Sequence, residues 1–190
     1  MICNICLQIG HQADEGINMN DTLTSSKALA DNRLAKVVNK IQSYPKFIRG
    51  VLLNFVIRKT VKLVGTAKIE VLKLTKEESI FRIQNRKKVQ NHIGTVHAAA
   101  MALIAETATG MVVGMNVPDD KYLVIKTLKV DFLKRAVGSL TATAQLSEQQ
   151  RQSILSEEKG EVNVAVSVMD EESKEPIECT MIWAWTPKRR

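Results

Sequence analysis

The stretch NHIGTVHAAAMALIAETATGMVVGMNVP, residues 91–118, restricts the possible folds of this chain more than any other segment. A polar turn with two histidines leads into a run of small and apolar residues that holds one carboxylate, Glu106. A helix that is apolar almost all round must be covered on nearly every side. A bilayer could cover it, but Glu106 near the centre of the span would cost several kcal/mol there. Its alanines, threonines and glycines also leave it only moderately hydrophobic. The expected cover is therefore the rest of the protein, with no membrane span.

The flanking segments suggest how the cover is built. Residues 29–41 place Leu34, Val37, Val38 and Ile41 at helical spacing, with Pro45 as a stop. Residues 47–57 read as a second helix, although their β-branched residues weaken that reading. From Val61 the period becomes two: Val61, Leu63, Gly65, Ala67, Ile69 and Val71 alternate with more polar neighbours, as in a half-buried strand. Residues 79–87 read as its hairpin partner across the turn TKEES. Beyond the central run, residues 122–133, the alternating Leu140, Ala142, Ala144 and Leu146, the valines 162, 164, 166 and 168, and the set Ile177, Cys179, Met181, Trp183 and Trp185 read as four strands. The stretch SEQQRQSILSEEKG reads as a polar connection between two of them. With no evident crossover helices, these strands are expected to be antiparallel. The fold class is α+β: a curved antiparallel sheet wrapped around one long central helix. The expected division is a flexible extension over residues 1–26, a helical segment over 27–60 and the sheet-and-helix domain over 61–190. A polar start at Met19 makes residues 1–18 an upstream addition.

The 190-residue chain carries 27 Lys and Arg against 20 Asp and Glu, a net +7. Nucleic acid, an anionic membrane and a phosphorylated carrier all fit that charge, as does a plain solvated surface. Aromatic residues make up 4% and do not interleave with basic ones, so nucleic acid is not the expected partner. No glycine-rich phosphate loop is present. Cys3, Cys6 and His11 supply three ligands where a closed zinc site takes four, so no metal is expected. Three cysteines cannot pair completely, and the opening MICNICLQIG lacks the charged start and apolar core of a signal peptide. A reducing, cytoplasmic setting is expected.

The pattern N-x-x-G-T-x-H-A-A…E-T-A-T-G, residues 91–110, together with the element order, resembles the hot-dog-fold acyl thioesterases. The nearest branch is the PaaI-like group, including relatives with a glutamate on the helix. The resemblance spans roughly residues 61–185. It implies that Asn91 helps to position the thioester or the lytic water and that the Ala98 backbone N–H polarises the thioester carbonyl. Glu106 would act as general base or nucleophile, with His97 beside the helix start and Gly94, Thr95 and Ala99 against the substrate. Two departures stand out: His-Ala-Ala replaces the family's His-Gly-Gly, and Glu replaces the commoner Asp. In FLKRAVG, residues 132–138, which resembles the family's strand end and turn, Ala136 stands where many members have Pro. Lys134 and Arg135 there could meet the phosphates of coenzyme A, or form a solvated basic turn.

The chemistry leads to the same residues. Thioester hydrolysis needs a base or a carboxylate nucleophile, and donors for the developing oxyanion. A helix N-terminus offers unpaired N–H groups and a positive dipole end, and a carboxylate in apolar surroundings is a stronger base. His97 fits a turn-holding role better than direct catalysis. Three function classes stay open: an acyl-CoA or acyl-carrier-protein thioesterase with no cofactor, a non-catalytic acyl-binding module, and a hydroxyacyl dehydratase using His92 and Glu106. Prolines surround the histidine of such dehydratases, and none occurs here between Pro45 and Pro118. On one helix, Ala98 and Glu106 stand about 12 Å apart, too far to serve one carbonyl. A homodimer, or a dimer of dimers, with each site shared between two chains is therefore expected, as the resemblance also implies.

Overall fold

The computed structural model describes residues 32–188. Three helices come first: α1 (Arg33–Gln42), α2 (Lys46–Thr60) and α3 (Lys62–Ala67). A hairpin of β1 (Glu70–Leu74) and β2 (Glu78–Ile83) leads through a 3₁₀ turn (Lys87–Val89) to α4 (Ala98–Gly114). Then follow β3 (Lys121–Phe132), β4 (Leu140–Gln145), α5 (Glu148–Ser156), β5 (Gly160–Met169) and β6 (Ile177–Pro187).

The strands form one six-stranded sheet in the order β1-β2-β4-β5-β6-β3, with every neighbouring pair antiparallel. β5 changes partner half-way. Its residues 160–164 pair with β6, and 165–169 pair with β4. A strand that hands over in this way lets the sheet coil instead of lying flat. α4 lies in the resulting concavity and packs against β2, β4, β5, β6 and β3. Met101, Ile104, Ala105, Ala108, Val112 and Val113 fill the contact. Full burial of a side chain such as Ile104 contributes roughly 1.5–3 kcal/mol. Two of the polar groups sent into this core are paired across it: Ser79 Oγ donates to the Ala108 carbonyl at 2.7 Å, and Trp183 Nε1 donates to Thr109 Oγ1 at 2.9 Å. The expected curved antiparallel sheet around a central helix is what forms.

Two sequence readings are corrected. The strand expected over residues 61–71 is α3 followed by β1. Val64 and Ala67 are the buried pair there, three residues apart, while Val61 and Leu63, which alternation assigned to the core, are exposed. Apolar residues in VKLVGTAKIEV satisfy both periods, and contacts from α2 decide between them. Arg58 Nε donates to the Ile69 carbonyl at 2.9 Å, and Arg58 Nη2 donates to that of Lys68 at 3.0 Å. Lys68 itself ends α3 in the left-handed conformation. The second correction is the polar connection SEQQRQSILSEEKG, which contains α5. Ser147 caps it, Gln150 closes the capping box, and Ile154 is buried. β2 also stops at Ile83, so that Lys87 belongs to the 3₁₀ turn instead of the strand. The extension over residues 1–26, with Cys3, Cys6 and His11, lies outside the described residues.

Asn32 joins the helical segment to the far end of α4. Its Oδ1 accepts from Ala35 N at 2.8 Å as the cap of α1, and its Nδ2 donates to the carbonyls of Gly114 and Val117 at 2.7 and 2.6 Å. Asn32→Ala removes the cap and strands two carbonyls at a buried position. The expected loss is about 2–3 kcal/mol in urea unfolding. A loss below about 0.5 kcal/mol would show that the tie is not needed.

Candidate active site

The turn before α4 is organised around Asn91. Its Oδ1 accepts from Ile93 N and Thr95 N, both at 3.1 Å, and its Nδ2 donates to Thr95 Oγ1 at 2.8 Å. Asn91 N donates to the Thr95 carbonyl at 2.9 Å, and Gly94 N to the Asn91 carbonyl at 3.1 Å. Gly94 has φ +78°, a conformation that residues with a Cβ rarely adopt. Asn85, which sequence reasoning missed, donates from Nδ2 to the Gly94 carbonyl at 3.1 Å. Thr95 and Val96 are buried and anchor the turn, while His92 is exposed in it. Asn91 thus spends most of its amide on the turn, and one Nδ2–H stays uncommitted among the described residues.

The turn delivers His97 to the N-cap of α4. His97 Nδ1 accepts from Ala99 N at 3.0 Å, so the neutral ring carries its proton on Nε2. The His97 carbonyl accepts from Ala100 N at 2.8 Å and Met101 N at 3.0 Å. Of the four N–H groups that open the helix, the one left without a partner among the described residues is that of Ala98. It lies at an exposed helix end, where the dipole favours negative charge. The methyl groups of Ala98 and Ala99 are exposed beside it.

Glu106 stands on the same helix, about 12 Å further along. It is half-buried in a cavity of about 180 Å³ lined by Val61, Thr107, Gly110, Met111 and Trp183, with no basic side chain among them. Burial pushes its pKa above the ordinary value of 4.5, against a smaller opposing effect of Thr107, whose hydroxyl is a long 3.5 Å from Oε2. Trp183, tied to Thr109, forms one wall of this cavity. A Cβ at Gly110 would lie 2.6 Å from the indole, so only glycine lets the ring this close to the helix. Gly110 was visible one turn beyond Glu106 in the sequence, but nothing local indicated that Trp183 and Val61 would meet it.

The structure therefore brings Asn91, Gly94, Thr95, His97, Ala98 and Ala99 together and holds Glu106 of the same chain apart. Lys134 and Arg135 are exposed in the loop after β3. The registers Ile83↔Leu140 and Phe132↔Ile177 put that loop at the end of the sheet from which the Asn91 turn departs. Cys179 is no rival nucleophile: burial, then Asp131, Glu175 and Glu178, push its thiol up to about 11, so it is protonated at neutral pH. Among the described residues no group of three or more His, Cys, Asp or Glu could hold a metal ion, and no helix is long and apolar enough to cross a membrane.

The family model described as "Domain of unknown function (DUF4442)" matches residues 51–185. The chain belongs to this family. The matched span opens inside α2, takes in α3, α4 and the first five strands and ends within β6, so the DUF4442 region contains the whole candidate site. Several solved structures share its fold. A protein of unknown function from Pseudomonas aeruginosa, described as a probable thioesterase, is 20% identical with a TM-score of 0.65, over 72% of this chain and 95% of that one. A putative thioesterase from Shewanella oneidensis is 16% identical, with a TM-score of 0.60 over 71% and 95%. A thioesterase from Haemophilus influenzae is 15% identical, with a TM-score of 0.59 over 73% and 90%. The fold is the hot-dog fold. No curated protein matches the chain.

The raised pKa of Glu106 has a consequence for stability. Between 4.5 and the raised value, the folded protein binds more protons than the unfolded chain, so stability falls as pH rises through that window. Glu106→Gln carries no titrating proton and is expected to have a flatter profile of urea midpoints across the same window. A mutant profile with the wild-type slope would mean that Glu106 titrates normally in the folded state.

Proposed function

We propose that the protein is a cytoplasmic acyl thioesterase that hydrolyses an acyl-CoA or acyl-carrier-protein thioester. The observation that carries this reading is the division of labour on α4: one free N–H at its start, and farther along a half-buried carboxylate with a raised pKa. In the mechanism, the thioester carbonyl oxygen accepts from Ala98 N–H. Glu106 removes a proton from water as the oxygen attacks the carbonyl carbon, and the tetrahedral oxyanion collapses with loss of the thiolate. Direct attack by Glu106, giving an anhydride that water then opens, uses the same placement. The uncommitted Nδ2–H of Asn91 positions the water or the thioester. His97 acts by capping Ala99, which leaves the donor role to Ala98, while Gly94, Thr95 and Ala99 border the substrate. Lys134 and Arg135 meet the phosphates of the carrier.

Because Ala98 and Glu106 of one chain cannot reach the same carbonyl, each site takes Glu106 from a second copy. β3 supports that arrangement. It is a long edge strand that exposes Tyr122, Val124, Leu128 and Phe132, and such an edge is a template for pairing with another chain. The rival reading, a non-catalytic acyl-binding module, draws on the commitment of Asn91 to its turn and on the exposed methyls of Ala98 and Ala99. Saturable binding of acyl-CoA without any turnover would favour it.

A panel of acyl-CoA substrates, followed with a thiol-reactive dye, tests the reading. Glu106→Ala should lose roughly 100-fold or more in turnover while remaining folded. Lys134→Ala with Arg135→Ala should raise KM for acyl-CoA well beyond that for a thioester lacking the nucleotide. Wild-type turnover in Glu106→Ala, or equal KM effects on both substrates, would refute the corresponding assignment. The shared site is tested by mixing inactive Asn91→Ala and Glu106→Ala under subunit exchange. Mixed dimers hold one intact site, so about a quarter of wild-type activity should return. If exchange is proven and no activity returns, the residues act within one chain or not at all.

A further inference from the structure

The helical segment carries an apolar face that the described residues leave uncovered. α2 buries Ile57 against the core, yet on its outer side Phe47, Val51 and Phe55, spaced four apart, are 80%, 73% and 59% exposed. With Leu72 of β1 they line an open groove of about 1170 Å³, shared with Lys46, Lys59 and Lys62. Lys59 Nζ lies 5.9 Å over the Phe55 ring. Leu63 of α3 is exposed on the same segment. Residues 33–68 contain nine Lys and Arg and no Asp or Glu. Glu70, which also lines the groove, accepts from Gln84 Nε2 at 2.9 Å.

We propose that this face docks on an anionic bilayer surface, with α2 lying in the interface. Protruding apolar side chains among cations, on helices that carry no acid, are what an interfacial segment needs: the apolar groups enter the headgroup region and the cations meet lipid phosphates and carboxylates, while Glu70 at the groove's β1 side is held by Gln84. The sign of the charge argues against a second copy here, because a two-fold contact would set Lys46, Arg58, Lys59 and Lys62 against the same four cations. A nucleic acid would answer the cations and leave Phe47 and Val51 in water. The groove is open and its phenylalanines protrude, which suits a surface better than a single enclosed amphiphile. The inference rests on α1–α3 and β1 alone, and stands whether or not Glu106 acts on thioesters.

The test is co-sedimentation of the full chain with vesicles of phosphatidylcholine, with or without about 30 mol % phosphatidylserine. Binding should appear with the anionic vesicles and weaken at least about tenfold when salt rises from about 0.05 to about 0.5 M. Phe47→Ser with Phe55→Ser should reduce it by about tenfold or more, and so should Lys59→Glu with Lys62→Glu. All four side chains are at the surface, so thermal melts should stay near wild type; if either pair unfolds, the other decides. No binding of the full chain to anionic vesicles overturns the proposal. So does binding that both variant pairs leave unchanged. Concentration-dependent self-association or RNA binding through this face, without vesicle binding, would overturn it in favour of that partner.

Discussion

The rest of the structure depends on the covering of α4. This helix is apolar on nearly every side, and the coiled sheet packs against it from β2 across to β3. Its polar groups are matched to that cover, Thr109 to Trp183 and the Ala108 carbonyl to Ser79. A helix enclosed in this way offers few places for chemistry. They are its exposed N-terminus and the half-buried strip where Glu106, Gly110 and Met111 stand beside Val61 and the Trp183 indole.

Those two places explain why the proposed site is divided. The first turn of α4 is prepared by a loop whose hydrogen bonds mostly close on themselves, so that His97 and Ala98 are held in position without using the Ala98 N–H. Glu106 meets the opposite requirement: a low-polarity cavity that leaves the carboxylate reluctant to ionise. A rigid helix keeps the two apart, and the open edge of β3 offers the route by which a second chain could close the gap. The basic helices lie outside this arrangement. Their cations and protruding phenylalanines would serve a surface, whereas β3 carries mixed charges, among them the pair Lys126–Glu161 and the pair Lys129–Asp131.

Much of the fold was legible because its strongest signals are long and regular. The last four strands alternate over most of their length, and β-strand periodicity survives whatever packs on them. The strand expected at 61–71 failed because six residues can satisfy two periods at once, and Arg58 reaching the carbonyls of Lys68 and Ile69 favours the helix. α5 was legible in principle, since Ser147 and Gln150 spell a capping box, but its polarity concealed it among loop residues.

The sequence by itself determined that one long apolar helix must be enclosed by an antiparallel sheet, that a single acid would interrupt it, and that a polar turn would precede it. These follow from local periodicity and from the cost of leaving apolar surface in water, which need no knowledge of distant contacts. Only the tertiary structure decided which N–H at the helix start stays free, since that turns on His97 Nδ1 reaching Ala99. Only it could bring Val61 and Trp183 to the Glu106 cavity, and leave the face of Phe47, Val51 and Phe55 uncovered. Those outcomes depend on which remote segments arrive beside one another, and packing across the whole chain settles that.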